Sequence, residues 1–326
     1  MIATILAVKA RHPSWGPKKI KNSLDESIGE MTVPAASTIG SVLKRAGLVK
    51  PRRIKSRCPA APLLSVAKEA NDLWCIDYKG QFRLGCGKLC YPLTITDRAS
   101  RFLIRCQALP DVIGHHAWPY FVGAFQEYGM PAAIRSDNGS PFASVSITGL
   151  TYLSLRFIKL GIVLERITPG KPQQNGAHER MHRTLKAEAI DPVAARMNGQ
   201  QERFDAWRYE FNFERPHEGL KQKTPASAYA ASPRSYPTRT PVLEYPDGMR
   251  VTRVRTNGTI RWRGREVYIS EVLIGEPIGL DHFMEGYHAL YVGKQPVAIL
   301  DEALGCFLPA KKAGPNIARL RQEALT

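Results

Sequence analysis

Hydrophobic positions recur with a helical period in the first part of the chain. Apolar residues are spaced three or four apart within residues 17–24 and again within residues 39–46, and Gly47 follows as a helix C-cap. Two short helices of which the second is basic are typical of a helix-turn-helix, predicted here over residues 1–49. The apolar opening, residues 1–8, is interpreted as the end of a helix that begins upstream, so this domain is expected to be truncated at its start.

Short strand-like runs alternate with helical patterns over the middle of the chain, residues 67–232. The apolar runs predicted as strands are residues 73–78, 93–96, 101–105, 133–136 and 162–164. The segments with helical spacing are residues 116–128, 150–160, 177–190 and about 200–213. Three strands followed by alternating helices and strands predict a mixed α/β domain, of which the last two helices trail the sheet.

The pattern becomes β-rich after residue 233. Asn257-Gly258 is a strong hairpin signal, and Ile260 and Trp262 alternate with arginines beside it. Further short strands separated by Gly and Asp turns continue to about residue 300. A small β-barrel is therefore predicted over residues 233–326, with a β-sandwich as the alternative.

The charge is strongly basic and unevenly distributed. The chain has 46 Lys and Arg against 29 Asp and Glu, a net charge of +17, and residues 44–57 and 249–265 contain no acid. Basic side chains gain affinity by displacing counterions from phosphates, so nucleic acid is the predicted partner and residues 50–66 a basic linker. A membrane is not predicted, because no apolar run approaches about 18 residues. The basic residues expected to contact DNA are Lys44, Arg45, Arg52, Arg53, Lys55, Arg261 and Arg263.

Two aspartates end apolar strands and are candidates for chemistry. Asp77 closes the first predicted strand of the α/β domain, and Asp137 follows a later one, directly before Asn138-Gly139. A carboxylate there is costly to bury unless it is paired or binds a metal, and ligands of α/β sheets usually bind at strand ends. The alternative for either residue is a cap or turn role.

A third acid, Glu179, lies in the first turns of the predicted helix over residues 177–190. Helical geometry places Glu179, Arg183 and Lys186 on one face, opposite an apolar stripe. One carboxylate beside two cations suits a metal-bound phosphodiester, although such a group is also typical of a surface ion pair. Lys171, in the preceding loop, is a further DNA-contact candidate.

The three acids predict a hard metal ion. Oxygen ligands without a neighbouring Cys or His set favour Mg²⁺ or Mn²⁺ over Zn²⁺. Two such ions about 3.5–4 Å apart can stabilise both the attacking and the leaving oxygen of a displacement at phosphorus. Two ions are therefore expected.

Several strings together resemble the DDE transposases and retroviral-type integrases. They are residues 74–77, 95–101, 136–142, 172–180 and 212–217, and their order matches the integrase catalytic core of bacterial insertion-sequence transposases. The resemblance implies a ribonuclease H-like fold and carries the catalytic and metal-binding triad onto Asp77, Asp137 and Glu179. It matches Arg183 and Lys186 to positions that hold DNA ends. Asp97 matches a family position whose role is equally well structural or catalytic.

The implied activity is that of a transposase. It would bind the element ends, cleave the 3′ phosphodiester and join the freed 3′-hydroxyl to target DNA, as a dimer or larger assembly in the bacterial cytoplasm, on the nucleoid. The alternatives are a metal-dependent nuclease that does not join, and a catalytically silent DNA-binding remnant or repressor. One departure is the spacing: 41 residues separate Asp137 from Glu179, more than is commonest in the family. The other is that the zinc-binding His/His/Cys/Cys set of retroviral integrases is missing, which favours the bacterial helix-turn-helix branch.

Overall fold

The computed structural model describes residues 1–28, 33–49, 65–167 and 176–309. The helices are α1 (Ile2–Arg11), α2 (Pro17–Ile28), α3 (Ala36–Arg45), α4 (Gly114–Tyr128), α5 (Tyr152–Lys159), α6 (Gly176–Leu185) and α7 (Met197–Tyr209). The strands are β1 (Leu73–Tyr78), β2 (Phe82–Arg83), β3 (Leu89–Asp97), β4 (Leu103–Leu109), β5 (Ala133–Ser136), β6 (Val163–Arg166), β7 (Arg250–Arg253), β8 (Thr259–Trp262), β9 (Arg265–Tyr268), β10 (Pro277–Met284), β11 (Tyr287–Val292), β12 (Gln295–Asp301) and β13 (Cys306–Pro309).

The described residues group into two compact units, each built from three stretches of chain. The first unit draws on Met1–Ala70, Lys79–Pro110 and Lys171–Ala231. The second unit draws on Asn71–Tyr78, Asp111–Gly170 and Ser232–Thr326. No helix of the described ranges combines the length and the apolar character that a membrane span requires.

Three short helices begin the first unit. Pro17 opens α2, where its missing N–H costs no hydrogen bond. The apolar faces of α1, α2 and α3 share a small core formed by Ile5, Trp15, Ile20, Leu24, Val33, Ile39, Val42 and Leu43. The arrangement has the helices that the sequence predicts, but it does not by itself establish a helix-turn-helix, which stays a prediction.

An antiparallel meander and two covering helices complete the first unit. Strand β3 pairs with β2 on one side and with β4 on the other. Gln201 of α7 accepts a hydrogen bond from the Ala108 amide at 2.8 Å and donates to the Cys106 carbonyl at 3.1 Å, which ties the helix to β4. The core beneath α6 and α7 contains Leu84, Leu103, Cys106, Met181, Leu185, Phe204, Trp207 and Phe211.

Parallel strands characterise the second unit. Strands β1, β5 and β6 pair in parallel, as expected where helices connect successive strands. The helices α4 and α5 contribute Phe121, Phe125 and Phe157 to an aromatic cluster with Trp74 of β1. The chain thus combines antiparallel and parallel pairs with helices, which confirms the predicted mixed α/β core.

The C-terminal strands differ from the predicted barrel. Strands β7 and β10 to β13 form an open antiparallel sheet with β13 and β7 at its edges, and β8 pairs only with β9. A short helical turn at Glu271–Leu273 separates the hairpin from the larger sheet. The hairpin packs against the sheet through Ile260, Trp262 and Val267. Among residues 232–309 no closed barrel is found, so the barrel is not confirmed.

Candidate active site

Asp77 and Asp137 lie at the ends of two neighbouring parallel strands. Strand β1 pairs with β5 so that Leu73 is opposite Ala133 and Cys75 is opposite Arg135. Asp77 lies two positions after the last residue of β1 in this pairing, and Asp137 lies two positions after the last residue of β5 in it, just past the end of that strand. Both aspartates are half-buried. The structure therefore places two carboxylates at the edge of the sheet where α/β proteins bind ligands.

A tight turn fixes the Asp137 carboxylate. The Gly139 amide donates to Asp137 Oδ1 at 3.0 Å. A Cβ at position 139 would lie 3.1 Å from Asp137 Oδ2, closer than most real Cβ contacts, so glycine keeps that side of the carboxylate open. Asn138 Nδ2 donates to the Ile167 carbonyl at 2.7 Å, which holds the turn against the end of β6. The Asp-Asn-Gly string is thus a rigid support for one acid.

An ion pair and an aromatic contact support the strand ends. Arg135 donates from Nη2 to Glu165 Oε2 at 2.8 Å, which joins β5 to β6 two residues before Asp137. Tyr78 stacks on Phe142, with ring centroids 5.7 Å apart. Burial raises the pKa of Tyr78 well above its usual range, and the negative charge of Asp111 adds to the effect. The phenol therefore stays neutral at physiological pH.

Glu179 lies in the first turn of α6, in the first unit. Its side chain and those of Arg183 and Lys186 are exposed, whereas Met181 and Leu185 are buried in the core beneath the helix. The predicted division of the helix into a charged face and an apolar face is therefore confirmed. An acid near a helix N-terminus is favoured by the helix dipole, which suits Glu179 to its position.

Parts of the chain match known proteins. Residues 160–225 match the family model described as Integrase core domain. The insertion element IS407 uncharacterized 31.7 kDa protein of Burkholderia multivorans is 26% identical over 178 residues, covering 53% of this chain and 60% of that protein. These matches support a DDE transposase and integrase family for the chain. The chain thus spans about 60% of the length of this curated relative.

Solved retroviral integrase structures show a limited overall likeness. The HTLV-2 integrase catalytic core in complex with magnesium is 14% identical, covering 50% of this chain and 99% of that one, with a TM-score of 0.40. An integrase chain of the simian T-cell lymphotropic virus intasome in complex with the PP2A regulatory subunit B56 gamma is 14% identical, covering 87% of this chain and 91% of that one, with a TM-score of 0.45.

Asp97, the family position of undecided role, is a structural residue of the turn between β3 and β4. Its side chain has no exposed surface, and its Oδ2 accepts hydrogen bonds from the Ser100 amide at 2.7 Å and the Ser100 hydroxyl at 2.6 Å. The Asp97 amide donates to the Phe102 carbonyl across the turn. The carboxylate therefore organises the hairpin.

The integrase-like string over residues 212–217 is also structural. Asn212 accepts from the Leu103 amide at 2.8 Å and donates to the Leu103 carbonyl at 3.0 Å, so it pairs with β4 like a short strand. Arg215 is 4% exposed and pairs with Glu188 and Glu210. The structure therefore ties Arg215 to the core.

Two histidines flank Glu179 in the chain, and both are buried. His178 and His182 are buried against Thr94 and Thr96 of β3. Burial lowers the pKa of His178 to about 3 and that of His182 to about 2. The rings are therefore neutral and carry no charge toward a phosphate. The sequence analysis did not find these partners, and the alternation of two threonines in the strand predicted over residues 93–96 is the signal that could have indicated them.

The predicted DNA-contact residues fall into two groups. Lys44 and Arg45 are exposed at the end of α3, and Arg261 and Arg263 are exposed on and beside β8. Arg263 also pairs with Glu302 at 2.9 Å, which reduces the positive charge available there. Lys171, Arg52, Arg53 and Lys55 lie outside the described residues.

Proposed function

We propose that this chain is a transposase that binds insertion-sequence ends, cleaves the 3′ phosphodiester and joins the 3′-hydroxyl to target DNA by metal-dependent transesterification. The parallel pairing of β1 with β5, the strands that end near Asp77 and Asp137, is the observation that supports the proposal. The Integrase core domain match and the insertion-element relative support it. A ribonuclease H-like fold for the catalytic core, residues 67–232, belongs to the same proposal.

In the proposed site Asp77, Asp137 and Glu179 hold Mg²⁺ or Mn²⁺. The donor set fits such ions, because carboxylate oxygens are their preferred protein ligands and Asp77 and Asp137 are neither fully buried nor fully exposed. When bound, the metal supplies stabilisation of the charge that develops on the attacking and leaving oxygens at phosphorus. The carboxylates orient the ions, and Arg183 and Lys186 hold the phosphates that flank the scissile bond.

DNA recognition in this proposal uses the basic surfaces on both sides of the core. Lys44 and Arg45 would contact element ends from the N-terminal domain, residues 1–49, and Arg52, Arg53 and Lys55 from the linker, residues 50–66. Arg261 and Arg263 would contact DNA from the C-terminal domain, residues 233–326. The net charge of +17 supports this distribution, because each phosphate contact releases a counterion. Two element ends must be held together, so the active species is a dimer or larger assembly on DNA.

A strand-joining assay tests the proposal. The protein is incubated with labelled DNA from the ends of its own genomic neighbourhood, plasmid target, and Mg²⁺ or Mn²⁺, beside the matched variant Asp137→Asn. Joined products that require metal and vanish in the variant are the expected result. Metal-dependent cutting without joining would identify a nuclease. Binding without either reaction would identify a DNA-binding remnant and overturn the proposal.

A further inference from the structure

Helix α6 carries Glu179 on its exposed side and two buried histidines on the side that faces β3. His178 is 2% exposed and His182 is 7% exposed. They face Thr94 and Thr96, two buried residues that share one face of β3 because strand side chains alternate. Four polar side chains are thus enclosed between a helix and a strand, where each unmade hydrogen bond would cost about 1–3 kcal/mol.

The four side chains form one continuous hydrogen-bonded chain. Thr94 Oγ1 lies 2.7 Å from His178 Nε2 and 2.7 Å from His182 Nε2. Thr96 Oγ1 lies 2.9 Å from the other ring nitrogen of His178, Nδ1. We call these four residues the histidine–threonine chain.

The proton count of the histidine–threonine chain is consistent with neutral rings. A hydroxyl has one proton, so Thr94 can donate to at most one imidazole and accepts from at least one of them. If His178 donates from Nδ1 to Thr96, its Nε2 accepts from Thr94 and His182 donates to Thr94. The reverse direction along the chain is equally consistent with the three contacts. In both patterns every contact has one donor and one acceptor.

Two directional anchors one turn apart define where α6 points. His178 and His182 are about 6 Å apart along the helix axis, so together they fix both its rotation and its axial position on β3. Apolar contacts such as those of Met181 and Leu185 are not directional and would tolerate a small rotation. Glu179 and Arg183 each follow one anchor by a single residue, about 100° further around the helix.

We propose that the histidine–threonine chain positions Glu179 for metal ligation, so that His178, His182, Thr94 and Thr96 act on the reaction through the orientation of α6. This inference rests on the proposed function, in which Glu179 is a metal ligand. The four residues are positioning residues. Outer partners of this kind change metal affinity by about 10–100-fold when they are removed.

The decisive pair of variants is Thr94→Val and Thr94→Ser. Valine keeps the shape of threonine and removes the hydroxyl shared by both histidines, whereas serine keeps the hydroxyl. Because Thr94 has no exposed surface, neither variant alters a DNA contact directly. Thr94→Val is expected to raise the Mg²⁺ concentration for half-maximal cleavage about 10-fold or more and to leave DNA affinity unchanged. Thr94→Ser is expected to retain the wild-type requirement.

Two further measurements test the positioning role without relying on catalytic activity. Mn²⁺ binding to the full-length protein, measured by calorimetry, should weaken about 10-fold in Thr94→Val and not in Thr94→Ser. Hydrogen exchange of a peptide covering residues 176–186, in metal-free protein, should be several-fold faster in the valine variant. His182→Leu and His182→Gln repeat the comparison from the helix side, because glutamine retains an amide that can reach Thr94.

The outcomes separate the inference from the function on which it rests. If wild-type protein cleaves DNA and the valine and serine variants share its metal requirement, the positioning role is wrong. The positioning role would also be wrong if Thr94→Val lost activity only in proportion to its loss of folded protein, with unchanged Mn²⁺ affinity. If wild-type protein neither binds Mn²⁺ nor cleaves, the proposed function fails and the inference fails with it.

Discussion

Two strand-end aspartates of this chain have opposite surroundings. Asp97 is enclosed, and one of its oxygens accepts two hydrogen bonds from Ser100. Asp137 is half-buried and accepts one hydrogen bond, from the Gly139 amide. Among the described residues no donor bonds its second oxygen. The carboxylate of Asp97 therefore stabilises the fold, whereas Asp137 keeps one carboxylate oxygen available for a ligand.

The difference originates in the residues that follow each aspartate. Ser100, three residues after Asp97, offers both an amide and a hydroxyl to the same oxygen. Gly139, two residues after Asp137, offers an amide and no side chain. A strand-end position alone does not distinguish a structural acid from a functional one. The hydrogen-bond partners that the following turn supplies distinguish the two kinds of acid.

Substitution of Asp137 should have the largest effect. Asp137→Asn is expected to lower metal-dependent cleavage by more than about 100-fold, because several kcal/mol of transition-state stabilisation are lost with the ligand. DNA affinity should stay the same or rise, since a negative charge near phosphates is removed. Cleavage rates at saturating DNA and a binding titration measure the two effects. A variant that loses DNA binding instead would contradict the role of Asp137 as a metal ligand.

Arg215 and Arg183 extend the comparison to buried and exposed cations. Arg215→Met should lower the free energy of unfolding by about 3–5 kcal/mol, because it leaves Glu188 and Glu210 without their buried partner. Arg183→Met, on the exposed face of α6, should change it by less than about 0.5 kcal/mol. Denaturant unfolding of both variants measures the difference. Equal destabilisation of the two variants would show that burial does not determine how much each arginine contributes to the free energy of unfolding.

Asp97→Asn should destabilise the fold without removing the chemistry. The neutral side chain weakens two hydrogen bonds to a buried charged group, at a cost of about 1.5–3 kcal/mol. Cleavage per folded molecule should stay close to that of the wild type, measured at a temperature where both proteins are folded. A rate as low as that of Asp137→Asn would assign Asp97 to the catalytic site.

The smallest effects are expected at single DNA contacts. Arg183→Gln should reduce the slope of log affinity against log salt by about one unit, and the combined substitution of Arg52, Arg53 and Lys55 by up to about three. Asp205→Asn, remote from the proposed contacts along the chain, serves as a charge control. A binding titration over a range of salt concentrations gives the slopes. An unchanged slope in the triple variant would show that the linker does not contact phosphates.

Much of the local structure follows from spacing. Apolar runs predict β1, which contains Asp77, and β5, which Asp137 directly follows. The faces of α6 follow from the positions of Met181 and Leu185. These features depend on interactions between residues near one another in the chain. Such interactions are visible in a single sequence.

The tertiary partners of polar residues could not be predicted in the same way. His178 directly precedes a candidate acid and is a polar residue of a type that is common on protein surfaces. Its hydrogen-bond partner Thr94, however, is 84 positions away in the sequence. Arg215 pairs with Glu188, 27 positions away. The barrel prediction is not confirmed among the described residues for a related reason, since strand propensity does not say which strands close a sheet. Long-range pairing decides each of these cases.

Direct measurement of metal binding tests the central claim most simply. Mn²⁺ is titrated into wild-type protein, Asp137→Asn and Asp97→Asn, and binding is followed by calorimetry or electron paramagnetic resonance. The account predicts that wild-type protein and Asp97→Asn bind Mn²⁺ with similar affinity and that Asp137→Asn binds at least about 10-fold more weakly. Equal affinity in all three proteins would contradict it.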